Sequence, residues 1–152
     1  HQHGRALPAS RSERGAERNL PMIAFDTNLL VRIAIKDDPR QLEIVQKLLL
    51  SETVFISRTV LLETEWVLRA RYDYPRERIA DFFTLIVTAN HTEIEDEDQV
   101  VRALDWYRLG ADFADALHLA ACGRAIMHTF DQSFCKVARE QGLTPEIRVL
   151  RT

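Results

Sequence analysis

Two aspartates in the chain stand directly after short apolar runs. Asp26 closes Met22-Ile-Ala-Phe-Asp26, and Asp131 follows Ala125-Ile-Met-His-Thr-Phe130. Parallel strands bring their carboxyl ends to one edge, where ligands of α/β folds bind. Two acids in that position therefore say more than either alone, although each also reads as the N-cap of a following helix. Helical geometry adds two more. In a helix read from about Thr59 to Arg71, at about 100° per residue, Glu63 falls between Val60 and Val67 on one side and Trp66 and Ala70 on the other. It interrupts an apolar face, whereas Glu65, beside Arg69 at i+4, reads as a solvated pair. An inward carboxylate is costly unless a cation meets it, which makes Glu63 the candidate of the two. In Ala111-Asp112-Phe-Ala-Asp115-Ala-Leu-His118-Leu-Ala120, Asp112 and Asp115 share one side of a helix. Asp112 is also a natural N-cap, so Asp115 has the stronger functional claim and Asp112 a supporting one.

Converging carboxylates raise one another's pKa, a conflict that a hard divalent cation resolves. An all-oxygen donor set of Asp26, Glu63, Asp115 and Asp131 suits Mg²⁺ or Mn²⁺ and not zinc. His118 is turned about 60° from Asp115 and reads as a packing residue; His128, inside a strand, reads as core. Arg32, Lys36, Arg58, Arg69 and Arg71 are the cations near the strand ends or the Glu63 helix. Arg58 directly follows a strand and is the first choice for contacting a phosphate, though each of the five equally reads as a solvated charge. Phe25, Trp66 and Phe113 read as core aromatics.

These positions require a particular scaffold. Met22–Asp26, Thr53–Ser57 and Ala125–Phe130 read as buried strands, with weaker candidates at Ile147–Leu150 and around Thr92–Ile94. Helical periodicity runs through Leu42, Val45 and Leu49, through Ile79, Phe82, Phe83 and Ile86, and through Val100, Ala103, Leu104 and Tyr107. Pro39 and Pro75 stand where helices begin, and Gly142 with Pro145 reads as a helix stop. Strands alternating with helices predict an α/β fold with a mainly parallel sheet covered on both faces.

At 152 residues and 46% apolar composition the chain is one packed domain and not a disordered segment. Its net charge is −3. Residues 1–21 carry four Arg against two Glu, leaving 16 basic and 21 acidic residues in 22–152. A mildly acidic body excludes a binder held to nucleic acid by phosphate contacts alone. Residues 1–21 show almost no apolar periodicity and read as a disordered leader or expression remnant ahead of a single domain at 22–152. The segment lacks the apolar stretch of a secretory signal, and no run is long enough to span a bilayer. Cys122 and Cys135 form neither a CxxC pair nor zinc spacing, so they read as free thiols of a cytoplasmic protein.

The ordered motifs resemble those of PIN-domain nucleases. Asp26-Thr27-Asn28 is similar to the family's opening signature, and Val60-Leu-Leu-Glu63-Thr-Glu-Trp66-Val-Leu68 to its second acidic motif. Asp112-Phe-Ala-Asp115-Ala-Leu-His118-Leu-Ala120 resembles the third, and Thr129-Phe-Asp131-Gln-Ser-Phe134 the fourth. The likeness covers residues 22–150 and is nearest to the VapC-like toxin branch. It implies a three-layer α/β/α fold and metal-dependent cleavage of single-stranded RNA. Asp26, Glu63, Asp115 and Asp131 would hold Mg²⁺ or Mn²⁺, with the choice between Asp112 and Asp115 partly open. Thr27, Asn28 and Thr129 would support them. For the toxin branch it also implies a small cognate antitoxin and a homodimer.

Other readings fit less well. An aspartyl-phosphate phosphatase places a second acid two residues after the first, where this chain has Asn28, and no partner lysine is evident. A phospho-acceptor receiver needs an acidic pair near the first strand. A non-catalytic partner-binding protein on the same scaffold is disfavoured by the presence of all four acids. A housekeeping RNA-processing nuclease differs from a toxin only in its genomic neighbour.

Overall fold

The computed structural model of the chain describes residues 22–152, so the reading of 1–21 as a leader lies outside the described residues. The order of elements is β1 (Met22–Ala24), α1 (Thr27–Ile35), α2 (Pro39–Ser51), β2 (Thr53–Ile56), α3 (Arg58–Tyr72), α4 (Arg76–Thr88), β3 (Thr92–Ile94), α5 (Glu97–Arg108), α6 (Phe113–Ala120), β4 (Met127–Thr129), α7 (Lys136–Glu140) and β5 (Ile147–Val149). Local chemistry accounts for several boundaries. Pro39 opens α2 directly after Asp38, whose Oδ1 accepts from the amides of Arg40 and Gln41. Gly142, past the end of α7, takes φ +71°, a conformation glycine adopts without a side-chain clash.

Every strand pairing is parallel. β2 lies between β1 and β3, with Met22 opposite Thr53 and Val54 opposite Thr92; β4 pairs with β5 through Met127 opposite Ile147. Helical crossovers make parallel pairing possible and cover the strands, giving a three-layer α/β/α arrangement. The core joins Val54 and Ile56 of β2 to Leu61 and Leu68 of α3, Ile79 and Phe83 of α4, Val100 of α5 and Phe113 of α6.

The helical periodicities hold: Val100, Ala103, Leu104 and Tyr107 are all buried, as are Ile79, Phe83 and Ile86. The strands differ from expectation in burial. β2, central in its ladder, is buried nearly throughout. β1 was expected to be buried, yet Met22 and Ala24 are exposed, because an outer strand has a hydrogen-bonded neighbour on one side only. His128 is likewise exposed on the short β4–β5 pair and is not a core residue.

One long-range contact sets the position of α6. Arg76, at the start of α4, donates from Nη1 to the carbonyls of Tyr107 and Ala111, which flank the turn between α5 and α6. Its guanidinium lies over the Tyr107 ring, 4.5 Å from the centroid. The turn passes through Gly110 at φ +99°, a conformation that L side chains rarely adopt. Phe113 then enters the core between Phe83 and Tyr107, with ring centroids 5.4 and 5.3 Å away. The acids of α6 are thus fixed by packing on their apolar neighbours.

Candidate active site

Asp26 follows β1 and caps α1: its Oδ1 accepts from the Leu29 amide at 3.0 Å. Thr27 and Asn28 fill the first turn of that helix, Thr27 half-buried and Asn28 exposed. Capping occupies one carboxylate oxygen and leaves the group at a helix N-terminus, where the dipole favours its charge. Asp131 follows β4 in a turn of its own. Its Oδ1 accepts from the Ser133 amide at 2.9 Å and the Ser133 hydroxyl at 2.6 Å. Both bonds stabilise the anion and lower the Asp131 pKa. Thr129 Oγ1 accepts from the Asp131 amide at 2.9 Å and so fixes the backbone of that turn.

Asp112 caps α6, its Oδ1 accepting from the Asp115 amide at 3.0 Å. That frees the Asp115 side chain from capping. Asp115 is half-buried, and its pKa is raised first by burial, then by the charges of Asp112 and Asp131, while His118 opposes the rise. His118 is exposed and electrically in contact with Asp115, in contrast to its reading as a packing residue. A carboxyl with a raised pKa binds its proton more tightly in the folded state. Protonated Asp115 therefore favours the fold at low pH, and that contribution is lost as pH rises through the folded pKa. Asn caps as well as Asp, so Asp112→Asn should keep α6 intact while lowering the Asp115 pKa in a ¹³C NMR titration. An unchanged pKa would show that Asp112 does not act on Asp115.

The structure reverses the expected facing of α3. The buried stripe is Leu61, Thr64, Glu65 and Leu68, and Glu63 is exposed. Glu65 is not a solvated ion: its side chain is 3% exposed, and its Oε2 accepts from Arg69 Nε at 2.8 Å and from the Tyr107 hydroxyl at 3.4 Å. Thr64 satisfies its hydroxyl on the Val60 carbonyl at 2.7 Å. Trp66, expected in the core, is 48% exposed, while Phe25 and Phe113 are buried as expected. Glu63 and Glu65 nevertheless line one groove of about 520 Å³, together with Thr59, Trp66, Arg69 and Asp112.

Arg58 is engaged within the protein. Its amide donates to Glu95 Oε1 at 2.9 Å, its Nη1 to Gln99 Oε1 at 2.8 Å, and its Nη2 lies 3.1 Å from Asp96 Oδ2. It ties the start of α3 to the β3–α5 junction. Arg69, expected only as one of five surface charges, shares a groove with Glu63 and Asp112.

Acids at strand ends and at the N-terminus of α6, on a parallel α/β scaffold, form one pattern, and the model of the PIN domain family matches residues 23–140. The chain belongs to the PIN domain family. No curated protein matches it significantly. PIN domains are generally nucleases, hydrolases that generally use divalent metals. In this PIN domain the charges of Asp112 and Asp131 both act on Asp115, and Glu63 shares a groove with Asp112. Asp26 belongs to neither of those sets among the described residues.

The donor chemistry of these acids fits a hard cation, since only oxygen donors are offered and Asp115 is half-buried beside the like charges of Asp112 and Asp131. Their spacing does not: among the described residues, no group of three or more His, Cys, Asp or Glu side chains is placed to hold a metal ion. Among the same residues, no helix is long and apolar enough to cross a membrane.

Proposed function

We propose that this PIN domain is a Mg²⁺- or Mn²⁺-dependent endoribonuclease of single-stranded RNA. The observation that carries the reading is Asp115, half-buried with its pKa raised by burial and by Asp112 and Asp131. Such a concentration of carboxylate charge is costly without a cationic partner, and phosphate chemistry rewards one. By the family's motif pattern Asp26, Glu63, Asp115 and Asp131 would hold the metal, which requires them to draw closer together than their spacing here. The chemistry such an ion would supply is activation of a water and neutralisation of charge on the phosphate. The protein's own groups do the rest. Asp131, its pKa lowered by Ser133, stays ionised into acidic pH. Asp112 secures the first turn of α6, and Thr129 holds the Asp131 turn. Asp115 must release its proton before it serves as a ligand, so activity should rise with pH through its raised pKa.

The finer reading makes the protein a cytoplasmic toxin of the VapC-like branch, a homodimer silenced by a small antitoxin. The order and wording of the four acidic motifs support it. The test is cleavage of a mixed pool of single-stranded RNA with Mg²⁺ or Mn²⁺, repeated with EDTA. Cutting that needs the metal, together with growth arrest on expression relieved by an adjacent small gene product, is the expected result. Cleavage indifferent to EDTA, or no cleavage with either metal, would overturn the nuclease reading.

A further inference from the structure

On the face of α3 that turns away from the core, Glu63, Trp66 and Arg69 follow one another at three-residue intervals. Successive members are about 4.5 Å apart along the helix axis. All three line the groove that also holds Asp112. Trp66 is 48% exposed, a large aromatic surface left in water where such a ring ordinarily gains by burial. Arg71 lies against it, its Cζ 5.7 Å from the ring centroid. Arg69 is held by an unusual partner: its Nε donates at 2.8 Å to Glu65, a carboxylate only 3% exposed that Tyr107 also contacts. Glu65 raises the Arg69 pKa, with a smaller contribution from Asp112. This arrangement occupies Nε and leaves both terminal nitrogens of a half-exposed guanidinium directed by a buried anchor. No hydrogen bond from either is present among the described residues.

We infer that this strip is the track for the substrate strand beside the acids. The Trp66 indole stacks on an unpaired base, and the Arg69 fork holds a phosphate. Glu65 is the positioning residue that sets the fork. The inference rests on the endoribonuclease reading and names the part of the surface that grips RNA. A single strand is the occupant the chemistry selects. Stacking needs a base free of its pair, and a planar guanidinium with two open nitrogens matches phosphate oxygens. Alternating ring and guanidinium along a groove is how single strands are bound without base-edge readout. The strip also answers a difficulty of the acidic body, because its one anchored cation stands within the same groove as Glu63 and Asp112.

The test uses the full chain and a 5′-fluorescein single-stranded RNA, with affinity followed by anisotropy in EDTA over a series of salt concentrations. Trp66→Ala should weaken binding about five- to hundredfold, and Trp66→Phe should retain most of the affinity. Arg69→Ala should weaken binding and reduce the slope of log K against log salt by about 0.7, one phosphate contact on a single strand. Because Arg69→Ala strands a buried carboxylate and can unfold the helix, Arg69→Lys and Glu65→Gln are measured beside it. Lys keeps the charge and should keep the slope, while losing affinity with the fork. Glu65→Gln should lower affinity with the slope unchanged. Wild-type binding matched by Trp66→Ala and Arg69→Lys would overturn the track and leave the nuclease reading standing. Wild type that neither binds in EDTA nor cleaves with Mg²⁺ overturns both. If Trp66→Ala reduces self-association in sedimentation but not RNA affinity, the strip is a protein contact and the inference falls.

Discussion

Asp115→Asn should lower metal-dependent RNA cleavage by about a thousandfold or more, since groups that merely support metal ligands already cost about 10–100-fold when removed. The substitution keeps the shape of the side chain and removes the charge whose pKa is raised by burial, Asp112 and Asp131. The folded protein in EDTA should therefore be at least as stable as wild type, because a repulsive charge has been deleted. Thermal unfolding separates loss of chemistry from loss of metal. A ligand at 100 times its Kd stabilises the native state by about 2.7 kcal/mol, so Mg²⁺ should raise the wild-type melting temperature but not that of Asp115→Asn or Asp26→Asn. Retention of wild-type cleavage by either variant, or an equal Mg²⁺ shift in all three proteins, would remove that residue from the metal site.

Phe113→Ala should be the most damaging substitution for stability, by about 3–5 kcal/mol. Phe113 has no exposed surface and sits between Phe83 and Tyr107, at 5.4 and 5.3 Å between ring centroids. Truncation removes the transfer free energy of the ring and opens a cavity between α4, α5 and α6, whose aromatic walls collapse only in part. It follows directly on Asp112, so the variant should also lose cleavage beyond its unfolded fraction as the first turn of α6 loosens. Urea denaturation gives the first quantity, and activity per folded molecule gives the second. A loss near 1 kcal/mol, the centre of ordinary substitutions, would mean that the ring is not the anchor of the α6 turn.

The scaffold was readable because its signals are local. Apolar runs located every strand to within a few residues, and alternation with amphipathic segments required parallel pairing. Asp112 was legible as a cap because the i to i+3 geometry needs nothing outside the segment, and the bond to the Asp115 amide is as expected. The membership of the family was legible from four motifs in order. What failed was the phase of α3. Its buried stripe, Leu61, Thr64, Glu65 and Leu68, follows the i, i+3, i+4, i+7 rule, but two of its members are polar and drop out of a hydrophobic pattern. Thr64 and Glu65 are satisfied within their own helix, by Val60 and Arg69, but the Glu65 carboxylate is also covered by Tyr107, which lies 42 residues away. A partner at that separation leaves no trace in a window of one helix. The same limit hid the engagement of Arg58 by Glu95, Asp96 and Gln99, and the distances between the four acids.

The bonds from Arg76 to the carbonyls of Tyr107 and Ala111 span 31 and 35 residues of sequence. Closing a loop of that length costs entropy that nearby contacts repay only after closure. The turn that presents Asp112 and Asp115 is therefore held only where α4 and the end of α5 are both in place. A chain still emerging during synthesis, with α4 made and α5 incomplete, holds Asp26 and Glu63 without the second half of the acid set. The α6 part of the proposed acid set thus depends for its position on a contact made from another helix, not on its own segment.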